Sequence, residues 1–198
     1  MKVLHVTNNH TNCYLLPLEK GWLMIDTGLP DTFSNLLQLL NQQSIQINEI
    51  NYLLITHFHP DHAGLTQNLC DLGITLVIHE EQYPYMSKLN LFYKKNWKAN
   101  YKDIIPSQAL ILTDDSSSRF FDEIGIHGEL ITTPGHSDDS VSLVLPNECA
   151  FTGDLPSFYL KEAYNDFVIE DSWDMLLQYQ PKIIYPSHAD PYKIEAIQ

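Results

Sequence analysis

Between residues 57 and 62 the sequence reads HFHPDH, placing His57, His59, Asp61 and His62 within six positions. Imidazole and carboxylate are ligands for transition metals, and together they suit zinc, iron or manganese better than magnesium or calcium. The segment follows the apolar run NYLLIT, which reads as a buried strand. In extended backbone, residues two apart point the same way, so His57 and His59 can face one ion together. Pro60 ends the strand and presets the first turn of a helix. That turn directs Asp61 and His62 to a neighbouring position, so one turn offers two half-sites side by side.

Each ion wants about four contacts from protein or water, and the remaining donors lie further along the chain. His136 follows a Pro-Gly turn in ELITTPGHSDDS, Asp154 ends CAFTGDL, and His188 ends KIIYPSHADPY. One more histidine for each ion and a carboxylate able to bridge them complete a two-metal set. His5, His10, His79 and His127 sit outside any paired motif and read as structural or exposed. Asp138 and Asp139 read as turn and capping residues, and Ser137 and Ser140 as local hydrogen-bonders. There is no Gly-rich phosphate loop and no GxSxG nucleophile turn.

The elements that must carry these residues alternate. KVLHVT, CYLLPL and WLMIDTG read as strands closed by Gly28 and Pro30. Asp31 is expected to cap a helix through TFSNLLQLLNQ, with Phe33, Leu36, Leu37 and Leu40 on one face. HAGLTQNLCDLG reads as a helix closed by Gly73, and TLVIH as a strand. ALILT, ELITT, VSLVL and CAFTG read as strands separated by turns. Asp171 or Ser172 is expected to cap a last helix, WDMLLQYQ, before a final strand, KIIYPSH. Such a pattern predicts sheets covered by helices.

With 198 residues, 44% of them hydrophobic, the chain can fill one core or two tightly fused halves. No run approaches the roughly 18 apolar residues of a membrane span, and MKVLHVTNNH lacks the apolar stretch of a secretory signal. Cys13, Cys70 and Cys149 form no CxxC pair and fit buried thiols in a reducing cytoplasm, so a cytoplasmic location is expected. The net charge of −14 argues against general affinity for nucleic acid or an anionic membrane. A pair of bound divalent cations would offset part of it.

HFHPDH, TPGHSDDS, FTGD and PSHADP, with DTG at 26–28 upstream, together resemble the metallo-β-lactamase superfamily, and most closely its small glyoxalase II- and lactonase-like hydrolases. The order and spacing match over roughly residues 1–190. The resemblance implies an α/β fold, a four-layer αββα sandwich, as a single domain over 1–198 with the metals at one edge of the sheets. By the same resemblance, His57, His59 and His136 hold a first metal, Asp61, His62 and His188 a second, and Asp154 bridges them. Asp26 resembles the acid that orients a ligand histidine.

The expected cofactors are two divalent ions, zinc first, with iron or manganese as alternatives. The expected nucleophile is a hydroxide between the ions, with Asp61 orienting it or shuttling its proton. The leading reaction is hydrolysis of a carboxylic ester-type bond, a thioester or lactone. A phosphodiesterase or RNA-processing nuclease is the alternative, and a redox di-iron or non-catalytic metal protein comes third. Asp154 weighs against antibiotic cleavage, since the family's β-lactamases typically lack the bridging carboxylate. His59 weighs against the oxygen-reducing di-iron branch.

Between the ligand clusters, residues 80–105 carry five of the eleven basic residues, Lys88, Lys94, Lys95, Lys98 and Lys102. Leu89, Tyr93, Trp97 and Tyr101 recur every four positions there, a helical stripe. In this family an insertion at this point commonly overhangs the metals, so a helical lid with Trp97 against the substrate is expected. Packing of that helix on the core is the competing reading. After Asp154, Tyr159, Lys161 and Tyr164 are further candidates for substrate contact, a tyrosine there being able to stabilise an oxyanion. The partner implied is a small-molecule substrate. The oligomeric state is left open, with a dimer among the options.

Overall fold

In the computed structural model, residues 2–96 and 100–194 are described. The chain divides into two compact units, Met1–Ile111 and Leu112–Gln198. Each carries a sheet with helices, so the α/β class with two sheets expected above is the architecture found.

The first sheet has six strands in the order β1 (Leu4–Asn8), β2 (Thr11–Pro17), β3 (Trp22–Ile25), β4 (Ile50–Leu54), β5 (Thr75–His79) and β6 (Leu110–Leu112). The first three pair antiparallel, while β3, β4 and β5 run parallel. Parallel neighbours need crossovers. Helix α1 (Phe33–Gln42) supplies one, and the short helices α2 (Pro60–Ala63) and α3 (Thr66–Cys70) supply the next. The parallel run sets the carboxyl ends of β3 and β4 side by side, and the Asp26 amide donates to the Leu54 carbonyl at 2.9 Å. Asp26 and the stretch from Thr56 onward therefore leave the same sheet edge. Leu15, Met24, Leu53, Leu76, Leu36 and Leu40 are buried in the core beneath.

The sequence is more finely divided than its periodicity suggests. Asp31 does not cap α1. It lies in a single 3-10 turn, Pro30–Thr32, and Thr32 occupies the cap position. Likewise the helix expected from His62 to Gly73 breaks into α2 and α3. Helix α4 (Tyr83–Lys95) buries Met86, Leu89 and Tyr93 in the first unit's core. Tyr101 lies beyond the helix but stacks on Tyr93, with ring centroids 3.9 Å apart. Trp97 lies outside the described residues.

The second sheet runs β11 (Tyr192–Lys193), β10 (Ile183–Pro186), β9 (Cys149–Gly153), β8 (Val141–Leu145), β7 (Glu129–Thr132). Here β7, β8 and β9 alternate in direction while β9 and β10 are parallel. The chain consequently leaves β7, β9 and β10 at one edge, which is where His136, Asp154 and His188 follow. A helix the sequence reading took for a turn, α5 (Asp114–Glu123), precedes β7. Thr113 and Ser116 form its capping box, and Ser117 Oγ accepts from the Leu130 amide at 2.6 Å.

After the short helix α6 (Lys161–Tyr164), the last helix, α7 (Phe167–Gln178), begins a turn earlier than expected. Its cap is Asp166, which accepts from the Val168 amide at 2.9 Å. That extra turn braces the ligand loops. Ile169 packs against Gly135, whose φ of +133° and lack of a Cβ leave room for it; a Cβ would sit 2.7 Å from Ile169 Cγ1. Ser172 Oγ donates to the Pro134 carbonyl at 2.7 Å, and Trp173 Nε1 donates to the Pro156 carbonyl at 2.8 Å. One helix thus fixes the backbone on the approach to His136 and just past Asp154.

Among the described residues, no helix is long and apolar enough to cross a membrane. The cysteines are free, and burial pushes the Cys70 thiol up to about 11 and the Cys149 thiol up to about 12.

Trp173 is fully buried, so Trp173→Ala is expected to cost about 3–5 kcal/mol of stability in urea unfolding. A loss under about 1 kcal/mol would show that α7 is not the brace described.

Candidate metal centre

The first unit holds its ligands by one buried carboxylate. Asp26, with no exposed surface, adopts a left-handed backbone (φ +59°) at the end of β3. Aspartate tolerates this conformation better than most residues. Asp26 Oδ1 accepts from the Thr56 amide at 2.8 Å, and Oδ2 accepts from the Thr56 hydroxyl at 2.8 Å. Oδ2 also receives His62 Nδ1–H at 2.8 Å. A hydroxyl has one proton to give. With Thr56 giving it to the carboxylate, the 3.2 Å contact from His57 Nδ1 to Thr56 Oγ1 must be donation by the imidazole. Both rings are therefore held as Nδ1–H tautomers, which turns each Nε2 lone pair to ligand duty.

His57 and His62 are fully buried, and their rings lie 4.0 Å apart; His59 meets His57 edge-on at 4.4 Å. A ligand atom of His57 lies within 4.8 Å of one on His59 and of one on His62. Asp61 Oδ2 stands 3.7 Å from His62 Nε2. Gln82 Nε2 donates to the carbonyls of Ile55 at 3.0 Å and Thr56 at 3.3 Å, securing the strand end that leads into the turn.

In the second unit, Asp154 lies between two imidazoles. His136 Nε2 is 3.4 Å from Oδ2, and His188 Nε2 is 3.4 Å from Oδ1. Charge-assisted hydrogen bonds are usually shorter, about 2.7–2.9 Å. Two ligands of one tetrahedral zinc, each about 2.0–2.2 Å from it, stand about 3.4 Å apart. The donor set therefore fits metal ions, and each carboxylate oxygen is paired with a different histidine. Beside these residues is a cleft of about 260 Å³, walled by Leu155, Pro156, Pro186 and Ala189.

The other expected site residues are placed differently. Tyr159 is largely exposed, and its hydroxyl donates to the Lys193 carbonyl at 2.9 Å. Lys161 Nζ sits 3.8 Å from Asp174 and 5.2 Å from the Phe158 ring centroid, so it is engaged on its own helices. Of the remaining histidines, His5 bonds Asn12, His79 Nδ1 accepts from the Glu81 amide, and His127 pairs with Asp122. Thr56 is the residue that sequence reading missed. The one signal for it is adjacency, a hydroxyl immediately before the first histidine.

The family model of the metallo-beta-lactamase superfamily matches residues 6–188. The chain belongs to that superfamily. A metallo-beta-lactamase family protein from Thermus thermophilus superposes with a TM-score of 0.71 at 20% identity, over 97% of this chain and 74% of the other. TTHA1623, solved in a di-iron-bound form, superposes with a TM-score of 0.69 at 22% identity, over 98% and 94%. At those identities the likeness is one of fold. Among curated relatives, the beta-lactamase-like protein 2 homolog of Drosophila melanogaster is 25% identical over 191 residues, 93% of this chain. The chain spans 60% of that relative's length. Most members of this superfamily are metal-dependent hydrolases, and the His and Asp residues gathered here are of the kind that could hold a metal ion.

Thr56→Val removes the link between Asp26 and His57 while keeping the side chain's shape. It is expected to weaken zinc binding about 10-fold or more in a chelator competition. Unchanged affinity would show that the hydroxyl does not orient His57.

Proposed function

We propose that this superfamily member is a binuclear metal-dependent hydrolase of carboxylic ester-type bonds, thioesters or lactones. The observation that carries the binuclear reading is Asp154, each of whose oxygens faces a different histidine at 3.4 Å. Following the family pattern, His57, His59 and His136 serve one ion, Asp61, His62 and His188 the other, and Asp154 both. Zinc suits the donor set best, and iron or manganese would be accepted by the same chemistry.

Ions bound there lower the pKa of water from about 15.7 towards about 7 and polarise the oxygen of the scissile bond. The chain's own contribution is orientation and proton handling. Asp26 and Thr56 keep the Nδ1 protons of His62 and His57 in place, so neither ring needs to turn during turnover. Asp61, whose side chain is 37% exposed, reaches solvent and can take a proton at a carboxylate oxygen. In this reading no side chain has to form a covalent intermediate.

The cleft beside Asp154 is small and mainly walled by proline and aliphatic side chains, which suits a compact acyl group or ring. Against a nucleic-acid substrate, three of the five basic residues of the 80–105 segment are already engaged. Lys94 pairs with Asp103 at 3.0 Å, Lys102 with Asp71 at 2.6 Å, and Lys88 lies 3.5 Å over the Tyr85 ring. A chain of net charge −14 is also repelled by phosphate backbones.

His57→Ala and Asp154→Ala are each expected to lose at least one ion by elemental analysis and to drop to background turnover, with circular dichroism unchanged. Full metal content in both variants would refute the ligand assignment. With zinc, manganese or iron added, S-lactoylglutathione or an acyl-homoserine lactone is expected to be turned over faster than a generic phosphodiester or nitrocefin. Dominant phosphodiester cleavage would overturn the substrate class.

A further inference from the structure

The cleft beside Asp154 holds about 260 Å³, less than the roughly 300–1,000 Å³ of sites that enclose a small molecule. A substrate seated there extends beyond it, and the second unit shows where. Leu155, Pro156 and Ser157 contribute one stretch of wall, and Pro186, His188 and Ala189 another. Just past both stretches the chain is stitched together. The Phe158 amide donates to the Tyr192 hydroxyl at 3.1 Å, and the Tyr159 and Tyr192 rings lie 5.8 Å apart. The rim of the cleft is therefore aromatic.

From this rim runs a short helical segment, the 3-10 turn Phe158–Leu160 followed by α6. Its inner side is settled by contacts with α7. The Phe158 ring lies 5.4 Å from that of Trp173, and Lys161 Nζ comes to 3.8 Å from Asp174. Outward positions of a surface helix are ordinarily polar. Here Tyr159, Leu160 and Tyr164 occupy them, Phe167 follows at the start of α7, and all four are between 55% and 73% exposed. The exposure of Tyr159 does not serve to wet its hydroxyl, because that group donates to the Lys193 carbonyl and the ring is what remains open. Single apolar residues on a surface need no explanation, whereas a contiguous run does.

Size and charge say what covers the face. At such exposure four large side chains present on the order of 400 Å² of apolar surface. That is about half of the roughly 800 Å² that each partner brings to a stable protein interface, too little for a second copy. Between residues 158 and 175, Glu162, Asp166, Glu170, Asp171 and Asp174 stand against the single base Lys161. Acids in that excess repel anionic lipid headgroups and phosphates, and the occupant that fits is an uncharged apolar chain.

Building on the hydrolase reading above, we propose that Tyr159, Leu160, Tyr164 and Phe167 form a binding face for an extended aliphatic acyl chain whose carbonyl end sits in the cleft. The substrate class is thereby narrowed to thioesters or lactones of medium and long acyl chains. Because the hydrocarbon lies on an open face, each methylene covered adds affinity without a fixed length being set.

A chain-length series on the zinc-loaded protein tests this, with a Leu160→Ser/Phe167→Ser double variant as the probe of the face. Both residues are exposed, so the variant is expected to unfold at the wild-type midpoint. Decanoyl-homoserine lactone is expected to be cleaved with kcat/KM about 10-fold above that of butanoyl-homoserine lactone, the gain residing in KM. Decanoate, which has no bond to hydrolyse, is expected to bind about 10-fold tighter than butanoate by calorimetry. In the double variant both ratios are expected to fall to near one. Ratios near one in the wild type, or unchanged ratios in the variant, would overturn this proposal alone. A dimer in sedimentation that the variant splits, or binding to phosphatidylcholine vesicles that it abolishes, would overturn it too, giving the face to a second copy or to a membrane. No cleavage of either lactone, or of thioesters of the same acyl chains, would sink the hydrolase reading and this proposal with it.

Discussion

A carboxylate with no exposed surface is tolerated only when its oxygens are fully engaged, and Asp26 meets that condition with donors that are the site itself. The amide and hydroxyl of Thr56 supply two hydrogen bonds to it, and His62 supplies another. Removing the carboxylate would leave a backbone amide, a hydroxyl and two imidazole N–H groups without their acceptor or relay. The parallel pairing of β3 with β4 makes the arrangement possible, because it brings the ends of the two strands to one edge in register. Fold and ligand orientation are thus the same set of bonds seen from two sides. A left-handed aspartate, energetically unwelcome elsewhere, is stabilised here by what it holds.

The second unit reaches the same end by packing. Its ligands stand on three loops leaving one sheet edge, and α7 ties down two of them through Ser172, Trp173 and the Ile169–Gly135 contact. A buried indole and a serine hydroxyl fix carbonyls whose neighbours carry His136 and Asp154. The carboxylate then sits between two histidines at separations too long for strong hydrogen bonds and appropriate for shared ions. The donors of such a cluster, imidazole and carboxylate, suit metal ions.

Much of this was legible in the sequence, for identifiable reasons. The ligand turn declares itself because histidine is scarce and a proline follows an apolar strand. The strands β4, β5, β8 and β9 declare themselves as short, mainly apolar runs, in keeping with their burial. What stayed hidden had weak local signals. Helix α5 is written DDSSSRFFDE, with three serines of modest helix propensity, and is recognised only through its Thr113–Ser116 cap and the burial of Phe121. The first turn of α7, FVIED, lies before the expected cap at Asp171 or Ser172, and Asp166 is the residue that caps it. Thr56 carried no spacing signal at all, since its role depends on a partner 30 residues away.

The central claim is that the carboxylate of Asp154 is shared by two ions. Anomalous diffraction above the zinc edge, from crystals of zinc-loaded protein, measures it most directly. The expected map has two peaks flanking that carboxylate, one beside His136 Nε2 and one beside His188 Nε2, each about 2.0–2.2 Å from its ligand atoms. A single peak, or peaks remote from Asp154, would contradict it.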